Sequence, residues 1–196
     1  MRNKNEVSDY YIEYNNYLKG TSVFGRMYRR YYLYPALRLI VGNKFIDIGC
    51  GLGDFLSFGS KRSLGLDVNP LNVEYCRERG LNADFIENDT FPVGENSWDF
   101  AITDQVLEHI ENPDRFLLEI KRIIKPSGKL LIGVPCYSGY NRDPDHKIFY
   151  DKKKIISTLA NYGFRTIFHF YMPLPFAFLG RLLKQQSLYI ISINSG

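Results

Sequence analysis

The sequence has 196 residues, 45% of them hydrophobic and 23% charged, the length and balance of one globular domain, which excludes wholesale disorder. Three cysteines, Cys50, Cys76 and Cys136, are an odd number without a C-x-x-C pair, which excludes a disulfide framework or zinc ribbon and points to a reducing, cytoplasmic setting. A net charge of +4 does not favour nucleic acid as the partner, and neither a secretory leader nor a bilayer-spanning run is legible.

The elements follow in chain order. Residues 1–43 form an aromatic, basic arm: seven Lys/Arg face three acids, and eight of the fifteen tyrosines lie here. From Lys44 onward the pattern changes to short apolar runs separated by helical ones. Lys44–Ile48, Ser63–Asp67, Ala83–Glu87, Trp98–Thr103 and Leu130–Val134 are read as strands buried on both faces. Between them, Pro70 opens a helix through Arg79 that Gly80 ends. Asn112-Pro113 opens a second, whose stripe of Phe116, Leu117, Ile120, Ile123 and Ile124 runs until Pro126 and Gly128 stop it. Asp151–Asn161 is a third helix ended by Gly163, and Thr166–Tyr171 and Leu188–Ile193 are two further strands. Such alternation predicts a three-layer α/β domain built on a mostly parallel sheet with right-handed crossovers.

The first strand ends in Asp47-Ile48-Gly49-Cys50-Gly51-Leu52-Gly53. Glycines at that place let the chain turn sharply and let a ligand approach the backbone, and ligands of open α/β sheets lie beyond the carboxyl ends of the strands. The second strand ends in Asp67, a residue type that accepts hydrogen bonds from both hydroxyls of a ribose. A dinucleotide fingerprint would carry its third glycine at position 54, where this chain has Asp54, and a carboxylate there repels a pyrophosphate. An acid-rimmed glycine loop suits a cationic adenosine ligand better. A merely structural glycine turn is the other alternative.

These motifs, taken together, resemble the class I S-adenosylmethionine-dependent methyltransferases, and within them the small-molecule O-methyltransferases similar to those of quinone biosynthesis. The resemblance runs from Lys44 to about Gly163 and rests on motifs in register: the Asp47–Gly53 loop, Asp67, Asn88-Asp89-Thr90, Ser97-Trp98-Asp99, and Val106-Leu107-Glu108-His109-Ile110 followed by Asn112-Pro113. It implies a Rossmann-like sheet of seven strands with an antiparallel last strand, S-adenosyl-L-methionine as cofactor, and methyl transfer as the activity. One departure stands out. Gly53 and Asp67 are too close for a full first helix, which is expected to be clipped.

By that resemblance, the backbone around Gly49, Cys50, Gly51 and Gly53 lines the methionine and ribose part, with Asp47 near the ammonium. Asp67 takes the ribose hydroxyls, Val68 packs on the adenine, Asp89 accepts from its amine and Thr90 reads the ring edge. Asp104 and Gln105, ending the fourth strand, face the methionine portion and the methyl. Plainer roles compete with these: Asp67 as a turn acid, Asp89 as a solvated loop acid, Asp104 as the cap of a short helix. His146 and His109 are the candidate general bases for a hydroxyl acceptor, His109 competing with a packing role and His169 read as structural. No His/Asp/Glu cluster at metal-ligand spacing is legible, so no metal is expected.

The expected organisation is a helical lid or substrate arm over residues 1–43 and a cofactor-binding core over 44–196, with a cap insertion near 172–186. Tyr28-Arg29-Arg30-Tyr31-Tyr32 in the arm and the apolar Leu174–Leu179 run beside Arg181 and Lys184 are compatible with a membrane surface or a lipid-linked acceptor. The function expected is methylation of a hydroxyl on a small molecule such as a saccharide or lipid-linked intermediate. A non-catalytic binding module on the same fold is the alternative. The sequence leaves the oligomeric state open.

Overall fold

The computed structural model describes residues 4–20, 22–176, 178 and 186–196, with the side chains of residues 4–8 and 10 set aside. Seven strands make a mostly parallel, Rossmann-like sheet with helices on both sides. The chain divides into two compact units, Met1–Pro92 and Val93–Gly196.

The first unit opens with α1 (Lys4–Lys19), α2 (Val23–Tyr28), a π-helical turn at Arg29–Leu33 and α3 (Tyr34–Val41). Ser22 caps α2 by accepting a hydrogen bond from the Gly25 amide, and Pro35 lies just after the π-helical turn, in a helical backbone that runs on unbroken into α3. Strands β1 (Ile46–Ile48), β2 (Leu64–Asp67) and β3 (Ala83–Phe85) pair in parallel in the order β3-β2-β1. Helix α4 (Pro70–Glu78) makes the crossover from β2 to β3, capped by the Asn69 side chain at Leu71 N and ended beyond Arg79 by Gly80 at φ +72°. The clipped first helix is shorter still than expected. Between β1 and β2 the described chain has turns and one 3₁₀ turn, Leu56–Phe58. The glycine loop therefore runs into no α-helix and receives no helix dipole.

In the second unit, β4 (Trp98–Asp104) pairs in parallel with β5 (Ile124–Pro135), and β7 (Ser187–Asn194) lies antiparallel between β5 and β6 (Phe164–Met172). The order β4-β5-β7-β6 places the antiparallel strand where the resemblance put it. Helices α5 (Asp114–Ile123), α6 (Tyr137–Tyr140) and α7 (Lys152–Asn161) complete the unit. Leu117, Ile120 and Ile123 of α5 are fully buried, at roughly 1.5–3 kcal/mol each relative to exposure.

Helix α5 stops three residues before the expected breakers. Ile124 is already extended, because Pro126 disfavours the helical region at Lys125, and residues 125–128 form a bulge where the β4–β5 register shifts between Trp98 and Phe100. Ser127 carries it at φ +63°. In the expected cap insertion, Ala177 and residues 179–185 lie outside the described residues, Arg181 and Lys184 among them, as do Arg2 and Thr21 of the arm. Among the described residues no helix is long and apolar enough to cross a membrane. All three cysteines are free thiols.

Candidate functional site

The first unit holds the glycine loop. Gly49, Gly51 and Gly53 all have left-handed backbones, at φ +79°, +53° and +74°, which L side chains adopt only under strain. Gly49 N and Cys50 N both donate to Leu66 O, at 2.7 and 3.0 Å, fastening the loop to the end of β2. At Gly53 a Cβ would stand 2.6 Å from Leu81 Cδ1 and 2.8 Å from Cys76 Sγ, so this position is closed to any side chain. Gly51 is the less crowded of the two: a Cβ there would meet only Leu18 Cδ1 of α1, in ordinary contact at 3.5 Å.

Asp67 organises this corner. Its Oδ2 accepts from Gly51 N at 2.8 Å, and its Oδ1 accepts from Asn69 N at 2.8 Å and Asn72 Nδ2 at 3.2 Å. Burial raises its pKa above the ordinary aspartate value, and the three donors work against that rise. Asp67 is thus more than the acid of the turn before Pro70, because it reaches back to hold the glycine loop. The corner is tied in turn to the N-terminal arm: Asn15 Nδ2 donates to Asn72 Oδ1 at 2.8 Å, and Asn69 Nδ2 to Tyr11 O at 2.9 Å. Asn15, Asn69 and Asn72 are all buried.

The remaining cofactor candidates of this unit surround the loop. Asp47 is buried in the middle of β1. Cys50 is buried, and its thiol is pushed well up by its hydrogen bond to Cys76, by burial and by the charges of Asp47 and Asp67. It is a packing residue rather than a nucleophile. Val68, the next residue after Asp67, is about half exposed (48%), as a side chain offered to a ligand's flat face must be. Asp89 and Thr90 sit in an exposed tight turn closed by Thr90 N donating to Glu87 O at 2.9 Å, with Asn88 and Asp89 at φ +50° and +56°.

The second unit holds the other candidates. Asp104 ends β4, and Gln105 follows at φ +58° with its amide donating to Gly133 O at 3.0 Å. The Gln105 Nε2 reaches Ser187 Oγ at 3.2 Å and Asp104 Oδ1 at 3.4 Å. Gly133 must be glycine, since a Cβ there would lie 2.2 Å from Asp104 Oδ1. Asp104 is not the cap of the short 3₁₀ turn Leu107–His109: Val106 occupies that position and no side chain caps it.

His109 and His146 come together, their ring centroids 4.6 Å apart and edge to face. The loop after α6 is clamped to the 3₁₀ turn by Lys147 N and Ile148 N, which donate to Glu108 O at 2.7 and 3.1 Å. The His146 Nδ1 donates to Tyr140 O at 2.7 Å, and the Tyr140 ring stacks on the imidazole. That bond fixes the tautomer and leaves Nε2 as the basic nitrogen. His109 is pulled below the ordinary histidine value by burial and by the neighbouring His146. His169 lies in β6, away from this group, stacked edge-on against Tyr171.

Sequence reading missed Glu108. It is completely buried, and neither carboxylate oxygen has a hydrogen-bond partner; desolvation pushes its pKa up to about 8. The ligand atoms of Glu108, His109 and His146 lie within 4.8 Å of one another. The three side chains meet only in the fold and were not read together from the sequence. The spacing 108, 109, 146 matches no linear ligand pattern, and the backbone clamp alone brings the third member in.

Residues 46–132 match the family described as Methyltransferase domain. An uncharacterized 37.1 kDa protein in transposon Tn4556 of Streptomyces fradiae is 32% identical over 141 residues, 66% of this chain and 41% of that protein. A probable tRNA methyltransferase 9B of Mus musculus is 32% identical over 105 residues, 52% of this chain and 24% of the relative. The chain thus spans well under two thirds of either relative's length. A crystal structure of a SAM-dependent methyltransferase from Archaeoglobus fulgidus superposes with TM-score 0.69 at 20% identity, covering 94% of this chain and 99% of that one.

Proposed function

We infer the function from the premise that this chain carries, over residues 46–132, a methyltransferase domain of the class I S-adenosylmethionine-dependent kind. The reading is that the protein methylates a hydroxyl oxygen on a small-molecule acceptor, in the cytoplasm. When bound, S-adenosylmethionine supplies a methyl group on a positively charged sulfur, and the sulfur leaves as a neutral thioether. The residues present suit such a group: a glycine loop with no side chain at Gly51, flanked by the carboxylates of Asp47 and Asp67 and covered by Leu18 of α1. A cation is favoured there and a pyrophosphate is not.

The observation that carries the reading is the 2.8 Å bond from Gly51 N to Asp67 Oδ2, which fixes the loop against the acid that takes the ribose hydroxyls. The loop residues Gly49, Cys50, Gly51 and Gly53 hold the methionine and ribose part, and Asp47 favours the ammonium. Val68 packs on the adenine, while Asp89 and the Thr90 backbone read its edge. Asp104 and Gln105 hold the methionine end and orient the methyl. With the methyl donor bound, His146, with His109 beside it, would accept the proton that the acceptor hydroxyl gives up on methylation. Residues 1–43 act as a lid: Leu18 stands over Gly51, and Tyr11, Asn15 and Asn69 tie α1 to the ribose corner. Phe24, Tyr31 and Leu39 of the arm are more than two-thirds exposed beside Arg26, Arg29 and Arg30, a surface suited to a lipid-linked acceptor.

Calorimetry with S-adenosylmethionine and S-adenosylhomocysteine tests the cofactor assignment. Micromolar binding that falls at least about tenfold in Asp67→Ala supports it, and absence of binding returns the chain to a non-catalytic module. A second reading, a tRNA acceptor, draws on the relative named as a probable tRNA methyltransferase. Transfer of labelled methyl to total tRNA rather than to a metabolite extract would select it.

A further inference from the structure

We propose that Glu108, His109 and His146 form a binding site for one divalent transition-metal ion. The inference stands apart from the assignment of the methyl donor; with an ion bound, the His146 Nε2 lone pair is spent on it, and His146 is then not the base for the acceptor proton. Glu108 is the reason to look. It is fully buried, and both of its oxygens lack a hydrogen-bond partner. A buried carboxylate with no donors is costly unless something positive sits against it.

No neighbouring group completes a hydrogen bond to either oxygen, although the Glu108 amide and the Tyr150 hydroxyl are near enough to act on it electrostatically. His146 spends its Nδ1 proton on Tyr140 O, so its Nε2 presents a lone pair toward Glu108 Oε1 at 3.9 Å, beyond hydrogen-bond reach. His109 Nδ1 is likewise buried without a hydrogen-bond partner, with Asp145 Oδ2 at 3.6 Å. Three ligand atoms within 4.8 Å of one another need to close by up to about 1.4 Å around a shared ion, a change within reach of side-chain rotation. Donors about 2.1 Å from a tetrahedral metal stand about 3.4 Å apart.

The support for the ligands is that of a built metal site. A ligating histidine typically donates its other ring proton to a backbone carbonyl, which fixes its tautomer, as Tyr140 O does for His146. The stacked Tyr140 ring and the two amides on Glu108 O hold the loop in place. Two imidazoles and one carboxylate select zinc, cobalt, manganese or iron over magnesium or calcium, which prefer oxygen. Three protein ligands leave coordination positions open. His109, the most exposed of the three at 19% of its side chain, marks the way in.

The full chain, stripped with chelator and desalted, is titrated with cobalt(II) and followed by visible absorption, with zinc(II) by calorimetry as the second probe. The expected result is one equivalent of tight binding with a cobalt spectrum of nitrogen and oxygen ligation. His146→Gln and Glu108→Gln weaken it at least about tenfold, while His169→Gln leaves it unchanged. Thermal melts of the metal-free variants establish that each is folded, and the two ligand variants act on different elements, so misfolding of one leaves the other to decide. Absence of cobalt uptake by the wild type, equal loss in His169→Gln, or magnesium binding as tight as zinc each overturns the proposal. S-adenosylmethionine calorimetry on the stripped protein reports separately on the methyl-donor reading.

Discussion

Asn72→Ala removes the middle of the hydrogen-bond line that joins the arm to Asp67. Asn72 is fully buried and makes two bonds, accepting from Asn15 Nδ2 at 2.8 Å and donating to Asp67 Oδ1 at 3.2 Å. Truncation leaves the Asn15 amide without that acceptor in a buried place, about 1–3 kcal/mol. Asp67 Oδ1 keeps the Asn69 amide, so its loss is nearer the net value of a bond, about 0.5–1.5 kcal/mol. Alanine returns about 0.5 kcal/mol as a better helix former in α4. The net expectation is a loss of about 1–4 kcal/mol in urea denaturation. Asn15→Ala made in the Asn72→Ala background is expected to cost about 1 kcal/mol less than in the wild type, as members of one network do. The missing donor also drives the Asp67 pKa further up, so affinity for the methyl donor falls with stability. A change below about 0.5 kcal/mol, or additive costs in the cycle, would refute the claim that these side chains form one connected line.

Gly53→Ala is expected to cost about 2–4 kcal/mol, from the left-handed backbone and the contacts with Leu81 and Cys76, whereas Gly80→Ala, with the same backbone in open space, costs about 1–2 kcal/mol. Equal losses in parallel denaturation curves would show that packing at Gly53 is irrelevant. Gly133→Ala forces Asp104 and Tyr189 aside and is expected to cost about 1–3 kcal/mol; a fully stable variant would mean that the wall there is soft. Burial pushes the Cys136 thiol up to about 11, so at pH 8 its reactive thiolate is about a hundredfold scarcer than at the ordinary value of 9.0. Iodoacetamide labelling read by mass spectrometry should be correspondingly slow and should accelerate as pH rises toward 11; a rate matching a free cysteine contradicts the burial argument.

Much of the fold was legible because its signals are local. Short β-branched runs, Pro70, Gly80 and Gly163 mark element ends through backbone chemistry that needs no tertiary context. The glycine loop was readable for the same reason, since three left-handed residues so close together strongly favour glycine without any tertiary context. Element ends decided by competition were less so: α5 ends at Ile123, three residues ahead of Pro126, because the proline already disfavours the helix before it and a β-bulge begins there. The grip of Asp67 on Gly51, sixteen residues away, and the burial of Glu108 beneath the loop that carries His146 depend on pairings between separate segments. In the sequence Glu108 is one acid in a polar-apolar stretch. Its available signals were its place in the Val106–Ile110 motif and its position between Leu107 and His109, four residues after β4 ends.

The placement of β7 between β5 and β6 constrains how the second unit is made. Both neighbours precede it in the chain, yet neither has the other to pair with: Leu131 and Phe168 face the same Ile191 from opposite sides. During synthesis, β5 and β6 must therefore wait with bare edges until residue 194 has left the ribosome, an interval in which a chaperone or a strand of another nascent chain competes for them. Translation that pauses between Met172 and Ser187 prolongs that exposure, so yield of this protein should track the speed of that short stretch of message.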